Sequence, residues 1–129
     1  MPAIGNIALL DGKGTPLTHT FAPVTTNGGL AKFANRSATI PQGFESLSVE
    51  VTTPATKEAA HRVKIKAAFP TVAAVNGLDT VVRTSSFECV FNESQLSTSA
   101  ERIDHLKLMA NMLLHATTVT VMTNLEPIY

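Results

Sequence analysis

Between residues 44 and 69 the chain alternates strictly. Leu47, Val49 and Val51 face one way and Ser48, Glu50 and Thr52 the other; beyond a turn at 54–60, Val63, Ile65, Ala67 and Phe69 alternate with Arg62, Lys64 and Lys66. A period of two over both arms predicts antiparallel strands with one apolar and one wet face. Phe87, Cys89 and Phe91 repeat the pattern against Ser86, Glu88 and Asn92, which predicts a last strand. Upstream, residues 4–10 and 15–21 read as a hairpin turned at Asp11-Gly12, because both positions accept positive φ. Leu17, His19 and Phe21 then share one face. A short strand over 29–35 follows the Asn27-Gly28 turn, with Ala31 and Phe33 on one side and Leu30 and Lys32 on the other. Residues 70–83, with Asn76-Gly77 between weaker strand signals, read as a projecting loop or ribbon.

The period changes near residue 97. Thr98 followed three residues later by Glu101 predicts a capping box at the start of a helix over about 100–115. Ile103, Leu106, Ala110 and Leu113 form its apolar stripe, and Glu101, Arg102, Asp104 and Lys107 favour solvent. The tail 117–125 fits two elements. Val119, Thr120 and Val121 favour a strand, while Val119, Met122 and Leu125 would line one face of a short helix. Strands followed by helices give an α+β order, and 129 residues suit one domain, with a hairpin at 1–22, a sheet at 29–95 and helices at 98–125.

Composition narrows the functional classes. A hydrophobic fraction of 44% against 16% charged residues supplies a core and excludes wholesale disorder. Ten Lys and Arg balance ten Asp and Glu, so a generally basic nucleic-acid protein is excluded, and any phosphate-binding site must be local. No cation precedes the first apolar stretch and no apolar run is long enough for a span, so the expectation is a soluble, unexported protein without membrane contact. Cys89 is the only cysteine, which rules out an intrachain disulfide and a cysteine-based zinc site. His19, His61, His105 and His115 lack metal-binding spacing. Gly12-Lys13-Gly14-Thr15 is no phosphate loop, because the required earlier glycine is Ile7. Glu50 and Glu88 have no accompanying nucleophile or oxyanion donors. The expectation is therefore a protein that is not an enzyme, with no cofactor, metal or small-molecule substrate.

The stripe Arg62, Lys64 and Lys66 carries more information. Cations at alternate positions of one strand project from one face about 6.6 Å apart, comparable to the phosphate repeat of an extended nucleic-acid strand. Lys32 joins them if its strand shares that face. A solvated strand with routine charges is the competing reading, and Ser86 and Asn92 stand where a stacking ring would strengthen RNA binding. The opposite face, with Leu47, Val49, Val51, Val63, Ile65, Phe69, Phe87 and Phe91, must be covered. One helix of about 16 residues spans roughly 24 Å and covers only part of a six- or seven-stranded sheet. A second copy supplying another helix resolves this, so an obligate homodimer is expected.

This order of elements resembles the coat proteins of the small single-stranded RNA bacteriophages, the leviviruses, over essentially the whole chain. The segments that carry the resemblance are Thr26-Asn27-Gly28-Gly29-Leu30-Ala31, the alternating stretch 48–70, Ser97-Thr98-Ser99-Ala100-Glu101-Arg102 and the end Glu126-Pro127-Ile128-Tyr129. The resemblance implies an interlocked dimer whose two sheets join edge to edge, with each subunit's helices clasping its partner. It implies assembly into an icosahedral shell in the host bacterial cytoplasm, with the polar face inward against single-stranded viral RNA and the hairpin and helices outside. It also implies a vertex loop around 75–80 and a helix over 117–125.

In this family a coat dimer binds a hairpin at the replicase start and represses translation. By position, the resemblance puts Leu30, Ser48, Glu50, Lys64 and Lys66 around an unpaired base and Arg62 on phosphates, with Ser86 and Glu88 where the family offers a stacking tyrosine and a polar neighbour. Lys32 and Thr52 complete the candidate RNA-binding set. Glu50 replaces a small hydroxyl residue, and Ser86 removes stacking worth about 1–3 kcal/mol per base. Genome packaging is therefore better supported than tight repression, and a dimeric RNA-binding regulator that builds no shell is the alternative. On the polar face Lys32, Arg62, Lys64 and Lys66 outnumber Glu50 and Glu88, which leaves two positive charges in excess on a chain of zero net charge.

Overall fold

Backbone pairing carries the alternating pattern into a six-stranded antiparallel sheet with its strands in sequence order. The strands are β1 (Ile7–Leu10), β2 (Thr18–Asn27), β3 (Leu30–Asn35), β4 (Glu45–Thr52), β5 (His61–Val75) and β6 (Leu78–Glu93), with a turn of 3-10 helix at Pro41–Gly43. They are followed by helices α1 (Ser99–Leu113) and α2 (Ala116–Asn124). This computed structural model describes residues 4–56 and 59–128 and divides into two compact units, Met1–Asn92 and Glu93–Tyr129. Part of the turn expected at 54–60, and the terminal Tyr129 used in the resemblance, lie outside the described residues. No helix among the described residues is long and apolar enough to cross a membrane.

In the first unit the core is small. Phe21 is fully buried, and with Phe33 and Leu47 it makes a cluster against which Ile7, Ala31, Ile65, Ala67 and Phe69 pack. These residues come from five consecutive strands, and the register pairs Ile7 with Phe21, Phe33 with Leu47 and Leu47 with Ala67. Large apolar residues are left outside it, among them Val51 and Phe87, the latter meeting Phe69 edge-on with ring centroids 5.8 Å apart.

The expected two-residue turn at Asp11-Gly12 is corrected. Leu10 pairs with Thr18, so the loop spans residues 11–17. Asp11 closes it as a local acceptor: its Oδ1 takes the amides of Leu17 at 2.9 Å and Lys13 at 3.3 Å, and its own amide donates to the Leu17 carbonyl at 3.0 Å. A side chain that substitutes for backbone partners stabilises this longer loop over the tight turn. β2 also runs on to Asn27, past a bulge between Pro23 and Thr25 where proline has no amide for the ladder. The next turn centres on Gly28 and Gly29, both at positive φ. At Gly29 a Cβ would lie 2.6 Å from the Val51 carbonyl oxygen, so glycine alone fits there. Residues 70–83 form a ribbon, β5 returning as β6 through Asn76-Gly77 with φ of 51° and 80°, the backbone of a type I′ hairpin.

His19 links the N-terminal hairpin to the sheet. Its Nδ1 lies 2.8 Å from Glu45 Oε2 at the start of β4, and its Nε2 lies 3.4 Å from Asp11 Oδ2. Asn35 Nδ2 donates to the same Glu45 oxygen at 2.8 Å, and Lys13 Nζ sits 3.0 Å from Asp11. The Leu17 amide, with Lys13 and His19 adding to it, holds the Asp11 carboxyl far below the usual carboxylate range. Hydrogen bonding to Glu45, and then to Asp11, raises the His19 pKa above its ordinary 6.5 against the opposing cost of desolvation. A raised folded-state pKa means that the stabilisation is complete below 6.5 and is lost as pH rises through the higher folded value. The thermal midpoint is therefore expected to fall as pH climbs beyond 6.5, and His19→Gln should flatten that limb. Melting curves across pH for the two proteins make the comparison, and identical slopes would remove His19 as the cause.

In the second unit the capping box forms as expected. The Glu101 amide donates to Thr98 Oγ1 at 3.2 Å, and the Thr98 amide donates to Glu101 Oε2 at 2.7 Å. These Thr98 groups hold the Glu101 carboxyl below its ordinary pKa. α1 stops at Leu113 instead of reaching 115, because His115 caps a new helix and its Nδ1 accepts from the Thr117 amide at 3.3 Å. The tail is helical despite its β-branched residues. Thr120 and Thr123 hydroxyls donate to the carbonyls of Ala116 and Val119 at 2.9 and 2.8 Å, which accommodates threonine inside α2. The stripe predicted on α1 is exposed, with Ile103, Leu106 and Leu113 each more than half accessible.

Candidate nucleic-acid interface

The register of β3, β4 and β5 assembles the polar face in rows. Lys32 pairs with Ser48, and Ser48 with Lys66; Leu30 pairs with Glu50, and Glu50 with Lys64; Thr52 pairs with Arg62. Lys32 therefore shares the face of the basic stripe, because β3 and β5 flank β4 with matching side-chain parity. β6 adds Ser86 and Glu88. The Glu88 carboxylate reaches across to two lysines, with Oε1 3.8 Å from Lys64 Nζ and Oε2 3.5 Å from Lys66 Nζ. The half-exposed Lys66–Glu88 pair contributes at most about 1 kcal/mol, and the longer pair to the more covered Lys64 is no closer than 3.8 Å, so both shape the local field more than they hold the sheet together.

Lys32, Ser48, Lys66, Ser86 and Glu88 line a concavity of about 730 Å³. Leu30, Glu50, Thr52, Arg62 and Lys64 flank it without lining it. All ten candidate residues thus fall on neighbouring strands of one sheet, in two groups. Eight further residues line it: Phe33, Leu47, Ala67 and Phe87 from positions read as the apolar face, and four that were missed, Val24, Ala34, Ser46 and Ala68. The last three share the parity of Lys32, Ser48 and Lys66, and Ser46 pairs with both Ala34 and Ala68, so alternation alone would have found them. Val24 arrives through the bulge at Pro23, whose proline inside a strand was the available signal.

Ammonium groups beside small hydroxyl and alanine side chains form a shallow cationic trough open to an extended polyanion. The small residues leave room for a backbone or base to approach, and the serine hydroxyls can donate to phosphate oxygens or accept from base amines. Among the described residues no three His, Cys, Asp or Glu side chains converge to hold a metal.

A family model described as Levivirus coat protein matches residues 2–129. The fold is similar to the virus-like particle of Beihai levi-like virus 21, at 29% identity and a TM-score of 0.87, with 99% of each chain covered. The virus-like particle of bacteriophage NT-214 is similar at 25% identity and a TM-score of 0.87, over 99% of this chain and 100% of that one. The capsid protein of bacteriophage GA shares the fold at 14% identity and a TM-score of 0.78, over 98% of both chains. No curated protein matches the sequence.

Proposed function

The chain belongs to the levivirus coat protein family, whose members are structural capsid proteins and not enzymes, and on that premise we propose that it dimerises, closes into an icosahedral shell and holds single-stranded RNA against its polar face. The observation that carries the assembly reading is the distribution of apolar surface. Only Phe21, Phe33 and Leu47 are buried hydrophobics among the described residues, while Val51 and Phe87 on the sheet and Ile103, Leu106, Met112 and Leu113 on α1 stay open. Apolar area of this extent is stable in water only when other copies cover it. One polypeptide then acts as a single coat domain within the virion, assembled in the host bacterial cytoplasm.

The RNA reading rests on the trough and on repetition. A local excess of two charges is weak in one subunit, but a shell multiplies it along a continuous polyanion. Repression of replicase translation through a hairpin is the finer part of the proposal, and Ser86, without a stacking ring, supports it less than packaging.

Recombinant protein is expected to form closed shells in negative-stain micrographs. With no Trp and one Tyr the polypeptide absorbs little at 280 nm, so strong absorbance at 260 nm in purified particles reports packaged RNA. A protein that stays a small RNA-binding dimer under all assembly conditions would return the regulator reading in place of the capsid.

A further inference from the structure

Glu88 is placed where a phosphate would bridge two lysines. Its oxygens divide between Lys64 at 3.8 Å and Lys66 at 3.5 Å, and its side chain is 48% accessible, so it is neither locked by burial nor remote from an incoming ligand. A phosphodiester presents the same feature, one negative charge spread over two oxygens, to the same two ammonium groups. We propose that Glu88 is a tethered counter-ion that competes with RNA phosphate for Lys64 and Lys66 and so holds the affinity of each single site low. The inference rests on the reading that RNA contacts this face.

Three observations converge on it. Lys66 and Glu88 both line the concavity with Lys32 and Ser48, so the contested anion position lies at the trough and not at a distant edge. On the other side of Lys64, Glu50 stands directly opposite in the β4–β5 register, so carboxylates from β4 and β6 flank that lysine. Glu88 also extends from β6 while both lysines extend from β5, so a rotation about its own side-chain bonds releases them without disturbing either strand. RNA entry then exchanges one anion for another, and fewer counterions are released than the number of cations would suggest. A weak single site favours long RNA that engages many subunits over short fragments that engage one.

The test is fluorescence anisotropy of labelled oligouridylate with the purified protein across a sodium chloride series, comparing wild type, Glu88→Gln, Asp104→Asn and Lys64→Gln/Lys66→Gln. Glu88→Gln keeps the side chain's size and removes its charge. It is expected to bind about fivefold more tightly, with the slope of log affinity against log salt steeper by about 0.7, the value for one single-strand phosphate. Asp104→Asn removes an equal charge from α1 and should change neither quantity. If Asp104→Asn matches Glu88→Gln, the gain is net charge alone and the counter-ion role fails. If Glu88→Gln binds no more tightly while the lysine pair weakens binding, the counter-ion role fails and the RNA-facing assignment stands. An unweakened lysine pair overturns the RNA-facing assignment itself, and the inference with it.

Discussion

Phe21→Ala is expected to lower stability by about 3–5 kcal/mol, the cost of emptying a fully buried aromatic site. Phe21 is the one large side chain with no accessible surface among the described residues. It brings β2 into a cluster otherwise built from Phe33 on β3 and Leu47 on β4, and it pairs with Ile7 on β1, so its loss loosens the N-terminal hairpin from the sheet as well as leaving a cavity. Against a total of about 5–15 kcal/mol for a domain, such a loss removes much of the margin. Urea unfolding should show the midpoint displaced, with shell yield collapsing in parallel. Leu17→Ala is the matched contrast. Leu17 is 55% accessible, and its substitution should stay within about 0.5 kcal/mol of wild type. Equal losses for the two would mean that Phe21 is not the centre of the core.

Phe21 and Leu17 also mark where sequence reading ends. Alternation puts both on one face, and both are apolar, yet only tertiary placement separates a core residue from a loop-edge one. The strands from β3 to β5 were legible because their period of two persists over many residues and matches across the strands, and the same register meets the condition on which Lys32 shares the face of the basic stripe. The Thr98–Glu101 box was legible because its chemistry is local. The Asp11 loop was not, since a carboxylate taking two amides of a longer loop looks in sequence like an ordinary Asp-Gly turn. α2 was undecided for a related reason: β-branching argues for a strand, whereas the hydroxyl bonds of Thr120 and Thr123 that offset it depend on the helix already existing. The Glu88 bridge was the least legible feature. It joins residues on two strands through side-chain reach, which alternation assigns to a face but not to a partner.

Lys64→Ser/Lys66→Ser is expected to strip most RNA from the particles while leaving dimers and shells intact. The two lysines supply half of the four cations on the polar face, where only Lys32 and Arg62 would remain against Glu50 and Glu88. The local excess of two charges would then fall to zero, and the repeated attraction that a shell offers would vanish with it. The fold should survive, because Lys66 and Glu88 are about half accessible and Lys64, although only 23% accessible, is held by a long 3.8 Å ion pair that contributes little. Serine, at a wet strand position, leaves the backbone ladder unchanged. Purified double-variant particles should show a fall in the 260-to-280 nm absorbance ratio, and the salt slope of RNA binding should shrink by about 0.7 for each phosphate that is no longer neutralised. Particles that keep wild-type RNA content across the salt series would show that RNA is held elsewhere. A double variant unable to dimerise would show instead that the assignment of these lysines to a wet face, free of any role in holding the dimer, is wrong.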